Sequence, residues 1–170
     1  FIVIGFVLSW LAARGQFMLL DNIVYERAEV STPWSAFKRQ ANSLFAFKVV
    51  YGIASTLVFL PILFFIVIGG FNYFNLIGVI DKMEQYLPAS MLHITPGTTM
   101  GLVLVFVVLA AASAVVLMCL DDFVVLVMYR SGLGVMESWS KFLPILSANI
   151  GAFFLYAVFR LMLLFAAGMG

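Results

Sequence analysis

Long apolar runs alternate with short polar stretches along this chain, and the alternation sets its plan. Phe1–Leu20 is the first run, interrupted near its end by Arg14, Gly15 and Gln16. Val49–Ile68 is the second, Met100–Met128 the third and Phe142–Ala167 the fourth. Each offers about 20 residues of apolar helix, the length that crosses a bilayer. The predicted fold is therefore all-α. It is an integral membrane helical bundle of about four transmembrane helices, arranged as two similar hairpins with short interfacial helices. Hairpin one covers residues 1–70, an external connection 71–99 and hairpin two 100–170, together one membrane domain.

The elbows of the hairpins carry most of the polarity. In the first, helix is expected to run on past Leu20 through Arg27, because Asn22, Glu26 and Glu29 recur at helical spacing. Ser31-Thr32-Pro33-Trp34 reads as a helix start, with Thr32 as cap and Pro33 at the first helical position. The helix that follows places Trp34, Phe37, Ala41, Leu44 and Phe45 on one side and continues toward the second span. Pro61 lies inside that span, and Pro144 in the first turns of the fourth. In the second elbow, Tyr129–Gly134 reads as a turn and Ser138 as the cap of the next helix. Trp34 and Trp139 are expected to anchor the elbows at headgroup level. Between the hairpins, 74–87 reads as a short surface helix, ended by Pro88.

Composition agrees with this plan. The chain is 65% hydrophobic and 10% charged, with mean hydropathy +1.16, where a soluble domain carries roughly a quarter charged residues. Net charge is +1, which gives no footprint for nucleic acid. A single cysteine, Cys119, allows neither an internal disulfide nor a thiolate metal cluster. The first residue is Phe, in mid-hydrophobic sequence, and the chain reads as part of a longer one; residues 1–13 lack the basic start of a signal peptide. Arg14, Arg27, Lys38, Arg39, Lys48, Arg130 and Lys141 fall at the elbows, against Lys82 alone in the opposite connection. By the positive-inside rule, loops 21–48 and 129–142 are cytoplasmic and 70–99 external.

The two elbows share an order of features. Each has Leu-Asp, then Tyr and Arg, a turn, Trp-Ser-x-Phe and Asn (Leu20-Asp21 to Asn42; Leu120-Asp121 to Asn149), although the spacing differs. A duplicated hairpin and the shared needs of any membrane hairpin both account for this. On residues 14–48 and 121–150 the plan resembles a group of prokaryotic multi-pass membrane proteins with repeated helix–elbow–helix units. The membrane domain attached to some glycerophosphodiester phosphodiesterases is among them. The resemblance implies a prokaryotic inner (cytoplasmic) membrane and a bundle of about six spans in the complete protein, four of them here. It implies no catalytic residues, because the phosphodiesterase chemistry of that family lies in a soluble domain that is not part of this chain.

Few side chains offer chemistry. His93, the sole histidine, reads as a solvated loop residue. No phosphate loop, nucleophile elbow, His-Glu-x-x-His or Cys-x-x-Cys is present, so neither an enzyme, a cofactor nor a metal site is expected. The remaining candidates are polar contacts in or beside the spans: Arg14, Asp21, Asp121, Asp122, Arg130 and Arg160. A charge within a span is costly and often marks an ion path. Asp121 and Asp122 read as headgroup-level residues or as partners of Arg130 or Arg27 ahead of an ion path, and Asp21 reads the same way with Arg14 as its partner. Arg160, counted from Phe142, falls toward the outer leaflet with no acid of the chain at its depth, so a partner chain or a lipid phosphate is its expected acceptor.

These features lead to a non-enzymatic structural or accessory subunit that packs against other membrane helices, with membrane lipid and other membrane protein subunits as partners. The alternative is a transporter-like or lipid-handling domain whose intramembrane charges line a polar path.

Overall fold

The computed structural model describes residues 2–26, 28–73 and 95–168. Arg27, Lys82, His93 and the expected surface helix at 74–87 with Pro88 lie outside the described residues. The protein is all-α: α1 (Ile2–Val24), α2 (Ser31–Ala36), α3 (Lys38–Tyr73), α4 (Pro96–Cys119), a π turn (Leu120–Val124), α5 (Val125–Ser131), α6 (Val135–Ala148) and α7 (Ile150–Gly168). Four stretches are long and apolar enough to cross a membrane: Val3–Val24, Lys38–Gly70, Pro96–Ser131 and Ile150–Gly168. This is a membrane protein.

Several boundaries differ from the sequence reading, three of them for a reason visible in local side chains. First, α1 stops at Val24, with Glu26 left-handed at φ 49°, instead of running through Arg27. Asn22 ends it: its side-chain amide donates to the Glu29 carbonyl at 2.9 Å and accepts from the Glu29 N–H at 3.2 Å. Second, α2 begins at Ser31 with no side-chain cap, which moves Thr32 inside the helix. Pro33 still falls among the first positions, whose N–H groups have no helical partner. Third, the expected fourth span is two helices. Asn149, at φ −133°, separates α6 from α7, so the span starts at Ile150 instead of Phe142. Ser138, expected as a cap, is fully buried within α6. The cap position is Gly134, whose N–H donates to the Glu137 carboxylate at 3.4 Å. The expected turn at Tyr129–Gly134 is shortened because α5 runs on to Ser131. The expected single helix from Pro33 into the second span is broken at Phe37; from Lys38 on, α3 is continuous into the span and passes through Pro61 without ending. Membrane helices tolerate this when neighbouring groups take up the freed carbonyl.

The contacts fall into two compact units, Phe1–Val49 with Val115–Gly170, and Val50–Ala114. Unit one holds a small core. Ala13 and Phe17 of α1 meet Ala41 and Leu44 of α3, the segment Cys119–Met128, and Val135 and Phe142 of α6. Phe37, the break between α2 and α3, lies between two rings, 5.9 Å from Phe17 and 4.9 Å from Tyr129. Gly132 closes α5 in the left-handed conformation (φ 69°) that a residue without Cβ adopts freely. The first turns of α3 seat this corner. Gln40 Nε2 donates to the Gly132 carbonyl at 3.1 Å, and the Val135 N–H donates to Ser43 Oγ at 3.0 Å.

Unit two pairs the rest of α3 with the start of α4, antiparallel. Down the pair come Tyr51 Oη with Ser113 Oγ (2.7 Å), Phe59 edge-on to Phe106 (5.3 Å) and Gly69 against Thr99. A Cβ built on Gly69 would fall inside the Thr99 side chain, so this is a close approach of Thr99 to the α3 backbone that a side chain at position 69 would disturb. Gly69→Val is expected to cost about 1–3 kcal/mol through overpacking. Adding Thr99→Ala should return most of it. Thermal unfolding of the two variants in detergent checks this, and a double variant no more stable than the single would contradict the close approach.

Candidate functional site

Neighbouring residues on a helix point about 100° apart, so two adjacent carboxylates need two different partners. Asp121 and Asp122 occupy the π turn Leu120–Val124, a wider turn that occurs mostly as a single insertion and often at functional positions. Asp121 faces α3 and α1. Lys48 Nζ lies 2.7 Å from its Oδ1, and Gln16 Nε2 donates to the same oxygen at 3.3 Å. Lys48 Nζ also donates to Gln16 Oε1 at 3.5 Å, which closes a three-membered ring of polar groups from three helices. Asp122 faces α7. Its Oδ2 accepts from the Arg160 guanidinium and, at 3.0 Å, from the Tyr156 hydroxyl.

Two further contacts complete the layer. Asp21, 3% exposed, accepts from the Tyr129 hydroxyl at 3.0 Å. Arg14, 7% exposed, has its guanidinium carbon 4.5 Å from the Trp10 ring centre and 4.9 Å from that of Trp34. It donates weakly to Asn42 Oδ1 at 3.4 Å, an oxygen that also accepts from Trp10 Nε1 at 3.3 Å. Stacking between two indoles offsets part of the charge of a guanidinium without an acid, and the buried Arg14 Nε has no hydrogen-bond partner among the described residues.

The expected pairings therefore change. Asp121 and Asp122 pair with Lys48 and Arg160 instead of Arg130. The acceptor of Arg160 is in the chain itself, because α7 starts at Ile150 and brings Arg160 level with Asp122. Arg14 meets Trp10, Trp34 and Asn42; Asp21, two turns away on the same face, lies about 10 Å further along the helix. Arg130 is exposed, at the last turn of α5 where a cation complements the helix dipole. Trp34 and Trp139 are half-buried, Trp34 against Arg14 and Trp139 edge-on to Phe142 at 5.7 Å.

Lys48, Gln16, Tyr156, Tyr129 and Asn42 were not singled out as site residues. The spacing of Tyr156 and Arg160, four apart on one helical face, was a signal for a shared acceptor. Among the described residues no three His, Cys, Asp or Glu side chains come together as a metal site. The arrangement neutralises charge between helices. A family model, described as a family of unknown function (DUF7544), matches residues 1–170. No curated protein and no solved structure matches the chain.

Proposed function

We propose that this chain, which belongs to the family of unknown function DUF7544, is a non-enzymatic structural or accessory membrane subunit that packs against other membrane helices. The observation that carries this reading is the neutralisation of each acid of the π turn by a cation on another helix, Lys48 of α3 and Arg160 of α7. Charges paired in this way act as struts between helices. The apolar flanks support the same role. On α7, Phe154, Leu155, Phe159, Met162 and Phe165 are all more than half exposed, a surface that lipid or another membrane helix covers. In this reading the elbows face the cytoplasm, by the excess of Lys and Arg they carry. The likeness to the membrane domain of glycerophosphodiester phosphodiesterases fits a module that serves a partner with its own chemistry.

A second reading is a transporter-like or lipid-handling domain. It is favoured by the π turn at the two acids and by the part-exposed side chains of both ion pairs, 23% to 36%. Purification from native membranes in mild detergent, followed by mass spectrometry, separates the two. Other subunits at fixed stoichiometry support the accessory role. A lone protein carrying only lipid overturns it in favour of the second reading.

A further inference from the structure

We infer that the elbow end of unit one binds the headgroup of an anionic phospholipid, through Lys38 and Arg39 in the first turn of α3 and Arg130 in the last turn of α5. Of the other described cations of this unit, Lys48 is engaged by Asp121, Arg160 by Asp122 and Arg14 between Trp10 and Trp34, while Lys141 is exposed further along α6. Lys38, Arg39 and Arg130 are exposed and make no ion pair or hydrogen bond among the described residues. The fold draws them to one corner. Gln40, next to Arg39, donates to the carbonyl of Gly132, two residues beyond Arg130, and Ser43 accepts from the Val135 N–H. The nearby Glu137 turns its carboxylate to the Gly134 N–H.

The surface beside these cations identifies the ligand as a lipid. Leu126, one turn before Arg130 on the same face of α5, is 48% exposed, and Met136 at the start of α6 is 68% exposed. Along that face the chain passes from exposed apolar to exposed cationic within one helical turn. A molecule with an acyl chain beside a phosphate matches this, and a small anion in water does not. Arginine and lysine clusters at a membrane surface attract acidic headgroups, with arginine able to grip two phosphate oxygens at once. The inference is independent of whether the protein serves partners or moves a substrate.

The test is native mass spectrometry of the full chain in detergent, with equal additions of phosphatidylglycerol and phosphatidylcholine bearing the same acyl chains. Retained phosphatidylglycerol is expected to exceed phosphatidylcholine several-fold. In K38Q/R39Q/R130Q the ratio should fall to near one, while the charge-preserving K38R/R39K/R130K should keep it. Equal retention by the unaltered protein would overturn the inference, as would a preference that survives the neutral triple variant or is lost in the charge-preserving one. Displacement of phosphatidylglycerol by inorganic phosphate would overturn the assignment to a lipid.

Discussion

Asp122→Ala is expected to destabilise the protein by about 3 kcal/mol, because it leaves a guanidinium uncompensated among apolar helices. Arg160 follows Phe159 and precedes Leu161 and Met162, all more than half exposed, so its surroundings are hydrocarbon. A guanidinium has no neutral form at any ordinary pH and cannot escape the loss by shedding a proton. The Tyr156 hydroxyl loses its acceptor in the same step. Removing both charges is a different matter. A paired charge in apolar surroundings contributes little net stability over a well-packed apolar pair, so Asp122→Leu with Arg160→Met should recover most of the loss. Unfolding midpoints in mixed micelles, compared across the two singles and the double, measure the coupling. A double variant as unstable as Asp122→Ala would show that the two side chains do not answer to one another.

Lys48→Met should cost less, about 2 kcal/mol, because it strands a carboxyl group, which has a neutral form available. Gln16 then remains as the hydrogen-bond donor to Asp121. The stronger test is exchange. Lys48→Asp with Asp121→Lys puts the same charges on opposite helices, and Gln16 can serve either arrangement by turning its amide over, since it offers both a donor and an acceptor. The exchanged protein should be markedly more stable than either single change. If it is no better than the worse single, the contact between α3 and the π turn is not what holds this corner.

What the sequence made legible was the part fixed by apolar run length and by turn chemistry. Long apolar stretches can cross a membrane only as helices, and Gly132 marks a turn because few other residues adopt its backbone angles. Elements set by a single side-chain contact were hidden. Nothing in the spacing of Asn22, Glu26 and Glu29 distinguishes a helical stripe from an asparagine that clasps the main chain seven residues on. The continuous apolar character from Phe142 to Ala167 concealed the break at Asn149, and Arg160 was placed at the wrong level in consequence. Five of the six candidates, Arg14, Asp21, Asp121, Asp122 and Arg160, were the visible half of the site, and Arg130 stands outside it. Their partners, Lys48, Gln16, Tyr129, Tyr156 and Trp10, are ordinary by type and gain a role only from the packing of helices distant in sequence.

The π turn has a consequence for how this helix can change. It carries one more residue than a regular turn, so the sequence register shifts by one between α4 and α5 while the wider turn absorbs the extra rotation. Deleting one residue within Leu120–Val124 would convert the wide turn into a regular one and leave the helix faces beyond it nearly where they are, because a single π turn takes up the one extra residue. Tyr129 would still face Asp21 and the Gly132 corner Gln40, while the pairs made by Asp121 and Asp122 within the turn would be the ones disturbed. A one-residue deletion in the regular helix on either side has no wide turn to absorb it and would rotate everything beyond it by about 100°, exchanging one set of helix partners for another.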